Sequence, residues 1–81
     1  MTQKAIDNAR RTLAKAKDAG AQQLAEDEFL KAEFALENAL DHIQRRNNIR
    51  ARMFAARAEE LARIALRKAL QMKNETGKAT I

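Results

Sequence analysis

Residues 26–46 read EDEFLKAEFALENALDHIQRR, and this stretch decides the fold. Phe29, Ala32, Leu36, Ala39 and Ile43 recur at alternating steps of three and four residues. That spacing places them on one side of an α-helix and on neither face of a strand. Phe34 and Leu40 widen the seam into a stripe suited to two neighbours. Glu26, Asp27 and Glu28 fill the first turn, where carboxylates meet the positive end of the helix dipole, and Arg45 and Arg46 close the other end.

The same period extends in both directions. Upstream, Ile6, Ala9, Leu13 and Ala16 line one face of a first helix. Gly20 comes after it, at the position where a helix commonly ends in left-handed backbone. Gln22-Gln23-Leu24 reads as a short connector, with Leu24 folding back onto the core. Downstream, Asn47-Asn48 is a second break, one Asn ending the middle helix and the next starting the last. Ala51, Phe54, Ala58, Leu61, Ala65 and Met72 form the main seam of that last helix. Ala55, Ala62 and Ala69 run alongside, and Leu66 and Leu70 widen it. At ~1.5 Å per residue it is roughly 37 Å long.

These elements predict an all-α domain over residues 1–74, with helices at about 2–19, 25–46 and 49–73 and a frayed tail at 75–81. Short connectors make sequential helices antiparallel neighbours, so the expected architecture is an Ala-rich, three-helix, up-down-up bundle. The structural rival is a helical hairpin that completes its core by dimerising.

Composition narrows the function. With 81 residues there is room for one small domain, which buries only about 60% of its unfolded surface. Two Gly, no Pro and no Val argue against hairpins and strands. No Cys excludes a disulfide scaffold, a thiolate metal site and a cysteine nucleophile. The longest apolar run, counting Ala, is Met53-Phe54-Ala55-Ala56, far short of the ~20 residues that span a bilayer. The N-terminal residues lack the apolar core of a signal peptide. A cytoplasmic protein, or a piece of a longer precursor, is the expectation.

Charge is segregated along the chain. Residues 1–20 carry five Lys/Arg against two Asp, for +3. Residues 21–44 carry one Lys against six acids, for −5, and residues 45–73 carry nine Lys/Arg against two Glu, for +7. The whole chain is +5. An acidic helix bracketed by basic ones favours their pairing and disfavours wrong partners. The densest basic cluster is Arg45, Arg46, Arg50, Arg52 and Arg57, a candidate patch for an anion or partner. With a pI near 10.1 it suits weak polyanion or nucleic-acid binding. No aromatic residue lies within the run Arg45 to Arg52 to stack on bases, and these arginines also read as helix-end charges and a solvated face.

The remaining candidates are ordinary. His42 lacks the Glu three residues earlier that bundle metal sites use and reads as a surface residue. Glu33 and Glu37 form an acidic face opposite Arg or Lys. Glu59 and Arg63 are a helix-surface pair. Asn74-Glu75-Thr76 fits the glycosylation pattern, which is frequent by chance. There is no Ser, so nucleophilic machinery is absent, and no catalytic residue, metal or cofactor is expected. A bundle this small also leaves little room for a substrate pocket.

One resemblance stands out. Ala9-Arg10-Arg11, Ala16-Lys17-Asp18-Ala19-Gly20-Ala21, Leu24-Ala25-Glu26-Asp27-Glu28-Phe29 and Lys31-Ala32-Glu33 resemble the start of an Ala-rich bacterial domain, domain of unknown function 4398. Ala55-Ala56-Arg57-Ala58-Glu59-Glu60-Leu61-Ala62 looks like its later helix. The resemblance covers roughly residues 5–70, and the Ala-Gly-Ala turn before an acidic helix start is its most specific piece. Leu24 stands where the family usually has an aromatic, Glu26 where it often has Pro, and the chain is basic where the family tends to be acidic. The family occurs in envelope lipoproteins, often before a peptidoglycan-binding domain. The resemblance therefore implies a helical, non-catalytic module of the bacterial cell envelope, acting through protein contacts or self-association on the periplasmic side.

Overall fold

A computed structural model of the chain describes residues 2–79, with side chains described through Asn74. Every element among the described residues is helical. α1 spans Thr2–Asp18, α2 Ala21–Leu24, α3 Glu26–Gln44 and α4 Asn48–Ala79. α4 packs along both α3 and α1, and α1 touches α3.

Three layers fill the space between the long helices. Ile6, Ala39 and Ala55 form one, with Leu36, Leu40, Ile43 and Phe54 packed against it. Ala9, Ala35 and Ala58 form the next, joined by Leu61. The largest joins Ala16, Phe29, Ala65 and Ala69 with Ala19, Ala21 and Ala25 at the connection, flanked by Leu13, Leu24 and Leu66. Residue numbers rise together through the layers in α1 and α4 and fall in α3. Among the described residues sixteen apolar side chains are buried, and all but Ile6 and Phe29 are Ala, so the helices approach closely and each contact removes little area from water.

The first connection behaves as its glycine requires. Gly20 adopts φ 86° and its N–H donates to the Lys17 carbonyl (2.9 Å). The chain then makes one turn of helix, α2, because the Gly20 carbonyl accepts from both Gln23 and Leu24. Ala25, buried at the junction, starts α3 without a side-chain cap, and the acidic first turn of Glu26, Asp27 and Glu28 faces the free N–H groups instead.

The second connection differs from the expectation. Arg46, not an Asn, takes the left-handed position, at φ 60°. Its N–H donates to the Ile43 carbonyl (3.0 Å), and the Asn47 N–H donates to the His42 carbonyl (2.8 Å). This pair of bonds is a Schellman closure, which fixes the left-handed residue by its place after the helix whatever its side chain. Asn47 is then free to cap α4, its Oδ1 accepting from the Arg50 N–H (3.2 Å).

Three expected core residues lie outside. Phe34 is 65% exposed because it sits on the outer side of α3, away from the Ala32–Ala35–Ala39 stripe. Leu70 and Met72 are also exposed. α4 is 32 residues long, roughly 48 Å, against roughly 29 Å for α3, so its later turns outrun the neighbours that would cover them. α4 also continues past Lys73; the fraying expected for 75–81 falls on side chains outside those described.

Candidate interaction face

The seam that buries one side of α4 turns another outward. Ile49, Met53 and Ala56 recur at steps of four and three residues and are exposed, Ile49 at 79% and Met53 at 66%. Leu30 and Phe34, one turn apart on α3, are exposed as well. Between the two helices runs an open groove of about 360 Å³, lined by Lys31, Phe34, Asn38, Phe54, Arg57 and Leu61. Met53, Phe54, Ala56 and Arg57 line a second depression on α4, which shares Phe54 and Arg57 with the groove. The sequence reading missed this second seam because the stronger Ala seam absorbed the periodicity; the Ile49–Met53–Ala56 spacing was the signal that could have found it.

His42 braces this region through Phe54. Its ring stacks on Phe54, centroids 5.2 Å apart and planes 9° from parallel. The Nδ1 atom is buried without a hydrogen-bond partner. The histidine is thus part of the α3–α4 contact rather than a free surface group, and the stacking holds Phe54 at the groove edge.

The five candidate arginines are all exposed, but they do not form one patch. Arg45 pairs through Nε with Asp41 (3.1 Å). Arg46 occupies the turn. Arg50 and Arg57, seven residues apart, share the α3 side of α4, and Arg57 reaches the apolar groove. Arg52 points to the other side, beside Thr2, Gln3 and Ile43.

Other charges tie the helices together. Lys68 Nζ lies 3.4 Å from both Glu28 carboxylate oxygens, linking α4 to α3. Glu28's own backbone N–H holds its carboxyl below the ordinary value; desolvation opposes this, and Lys68 and Lys31 add to the lowering. Glu59 accepts from Arg63 (3.4 Å), the pair expected from spacing, and from Thr12 on α1 (3.5 Å). Glu33 shares a groove with Arg10 and Lys17 of α1, whereas Glu37 is exposed. Among the described residues, no three His, Cys, Asp or Glu side chains gather to hold a metal ion.

A helical chain with this Ala-Gly-Ala turn and acidic α3 start fits one family model, matched over residues 4–81. The chain belongs to the family described as Domain of unknown function (DUF4398). No curated protein and no solved structure matched it. The family match spans α1 to α4, so the groove and both connections lie inside the DUF4398 region. No helix among the described residues is long and apolar enough to cross a membrane.

Proposed function

We propose that this DUF4398 chain is a non-catalytic structural or adaptor module of the bacterial cell envelope that works through protein–protein contacts. The observation that carries this reading is the exposed apolar surface at the α3–α4 boundary. Phe34 and Met53 are large and about two-thirds exposed; Phe34 lines the groove with Lys31 and Arg57 at its rim, and Met53 lines the depression that adjoins it. Contiguous apolar surface with a polar rim is what protein contact sites look like. The fold reading that goes with it is a three-helix up-down-up bundle, with α2 as a joint rather than a fourth member. The layers support this, since residue numbers fall in α3 as they rise in α1 and α4. Placement on the periplasmic side rests on the envelope setting that the family resemblance implies.

The competing reading, polyanion binding through Arg45, Arg46, Arg50, Arg52 and Arg57, is supported by the exposure of all five. It is weakened by the division of Arg50 and Arg57 from Arg52 and by the pairing of Arg45 with Asp41. A photo-crosslinking residue at Phe34 or Met53, in the full-length gene product in its host, separates the readings. The adaptor reading expects protein adducts in the envelope fraction from both positions and none from exposed Lys4. Cytosolic signal without protein adducts, together with nucleic-acid binding that falls steeply with salt, would favour the arginines.

A further inference from the structure

We infer that the outer ridge of α4 docks on an anionic lipid surface, lying along it without crossing it. This contact is separate from the α3–α4 groove and goes beyond the protein-contact reading. Ile49, Met53 and Ile64 are 79%, 66% and 40% exposed. On a helix of 3.6 residues per turn they fall within about 60° of one another, opposite the buried Ala51, Ala55, Ala58 and Ala62. Ile49 and Ile64 are roughly 22 Å apart along the axis at ~1.5 Å per residue. The row therefore stands on the side of α4 that turns away from α1 and α3. A convex ridge of this length cannot enclose a small ligand, but a flat surface meets it along its whole length.

Charge decides what the ridge meets. Arg50 and Arg57 flank it on the α3 side, Arg52 flanks it on the other, and Arg67 continues it past Ile64. All four are exposed, and none of their side chains joins an ion pair among the described residues. Arg63 and Lys68 are already engaged, by Glu59 and Glu28. The one acid on the ridge among the described residues is Glu60, exposed between Met53 and Ile64. Four unpaired cations thus face one unpaired acid. The adjoining grooves keep the same sign. Lys31 and Arg57 line the one beside α3 with no acid, and Arg11, Lys15 and Arg63 line the one beside α1 against Glu59. Asp27 and Glu37 of α3 and Asp7 and Asp18 of α1 are exposed but line neither. An apolar row framed by arginines suits a helix lying in a membrane interface. Its apolar side chains enter the acyl boundary while the arginine stems reach back to the phosphates. Nucleic acid would set that apolar row against phosphates, and no aromatic ring stands on the ridge to stack on bases.

Flotation of the purified 81-residue chain with lipid vesicles tests the inference. The chain should float with vesicles of equal parts phosphatidylglycerol and phosphatidylcholine and stay behind with phosphatidylcholine alone. Arg67→Gln, outside both grooves, removes one cation from the surface and should weaken binding about five-fold. Glu60→Gln removes the opposing charge and should strengthen it. Ile49→Ser combined with Ile64→Ser keeps every charge, leaves Met53 in place, and should weaken binding about ten-fold. Helical circular dichroism should be unchanged in all three. A chain that ignores the anionic vesicles, or floats equally well with neutral ones, would overturn the inference. So would a double serine variant that binds as wild type does, because the contact would then be electrostatic alone. Protein adducts from Phe34 in the host without vesicle binding would remove the lipid contact and leave the adaptor reading standing. Vesicle binding without protein adducts would do the reverse.

Discussion

The two sides of α4 obey opposite rules. Its inner side carries Ala51, Ala55, Ala58, Ala62, Ala65 and Ala69, all buried; its outer side carries Ile49, Met53 and Ile64, all exposed. A helix built for stability alone would place its large apolar side chains inward, where each contributes about 1.5–3 kcal/mol. Here Ala fills the fully buried positions, Phe54, Leu61 and Leu66 are only partly covered beside them, and Ile49, Met53 and Ile64 remain on the surface. The contrast teaches that the exposed residues are not a failed core. The core is complete without them, and their apolar area faces solvent.

Large expected effects test the inner side first. Phe29 is the largest fully buried side chain, 2% exposed, within the layer that joins α1, α3 and α4. Phe29→Ala should cost about 3–5 kcal/mol, read by chemical denaturation. Met53→Ala removes a large apolar side chain from the outer side and should stay within about 0.5 kcal/mol. Equal losses would erase the distinction between the sides. Next comes the opposite manipulation. Ala62→Leu adds bulk where helices touch and should destabilise by about 1–3 kcal/mol, whereas Ala56→Leu, at an exposed position, should be nearly neutral.

The two turns sharpen the picture at a smaller scale. Both Gly20 and Arg46 hold left-handed backbone, but only one is glycine. A Cβ at Gly20 would meet Leu24 Cδ1 at 3.5 Å and Lys73 Cε at 3.7 Å, which is ordinary contact, so the cost lies in the backbone. Gly20→Ala should destabilise by about 1 kcal/mol and Arg46→Gly should stabilise by up to about 1 kcal/mol, seen as opposite shifts in thermal midpoint. The smallest effect is electrostatic. The Glu28 carboxyl is lowered in the folded chain, so its contribution is present above the ordinary carboxylate range and is lost as pH falls through its folded value. Melting midpoints of wild type and Glu28→Gln should therefore converge in acid and separate toward neutrality.

Much of this was legible in the sequence. Ile6, Ala9 and Ala16, the Phe29–Ala32–Ala39 seam and the Ala stripe of α4 are buried as their three-four spacing required. Gly20 marked its turn because left-handed backbone favours the residue that lacks a Cβ. Arg46 gave no such signal, since a Schellman closure is set by hydrogen bonds from Arg46 and Asn47 to carbonyls behind them. Phe34, Leu70 and Met72 were misplaced for a common reason. Period places a residue on a face, but only the neighbours' lengths and positions decide whether that face is covered. The arginine cluster was visible as a run in sequence, but Arg50 and Arg52 lie about 200° apart on the helix, so proximity in the chain was not proximity on the surface.

One variant measured in two ways tests the central claim most directly. Phe34→Asp changes only the outer side of α3, so its thermal midpoint and its contact with a partner should respond independently. The account predicts an unchanged melting curve and loss of the protein adducts formed in the host from a crosslinking residue at Met53. A large fall in thermal midpoint with contacts intact would contradict it, because Phe34 would then hold the fold rather than the partner.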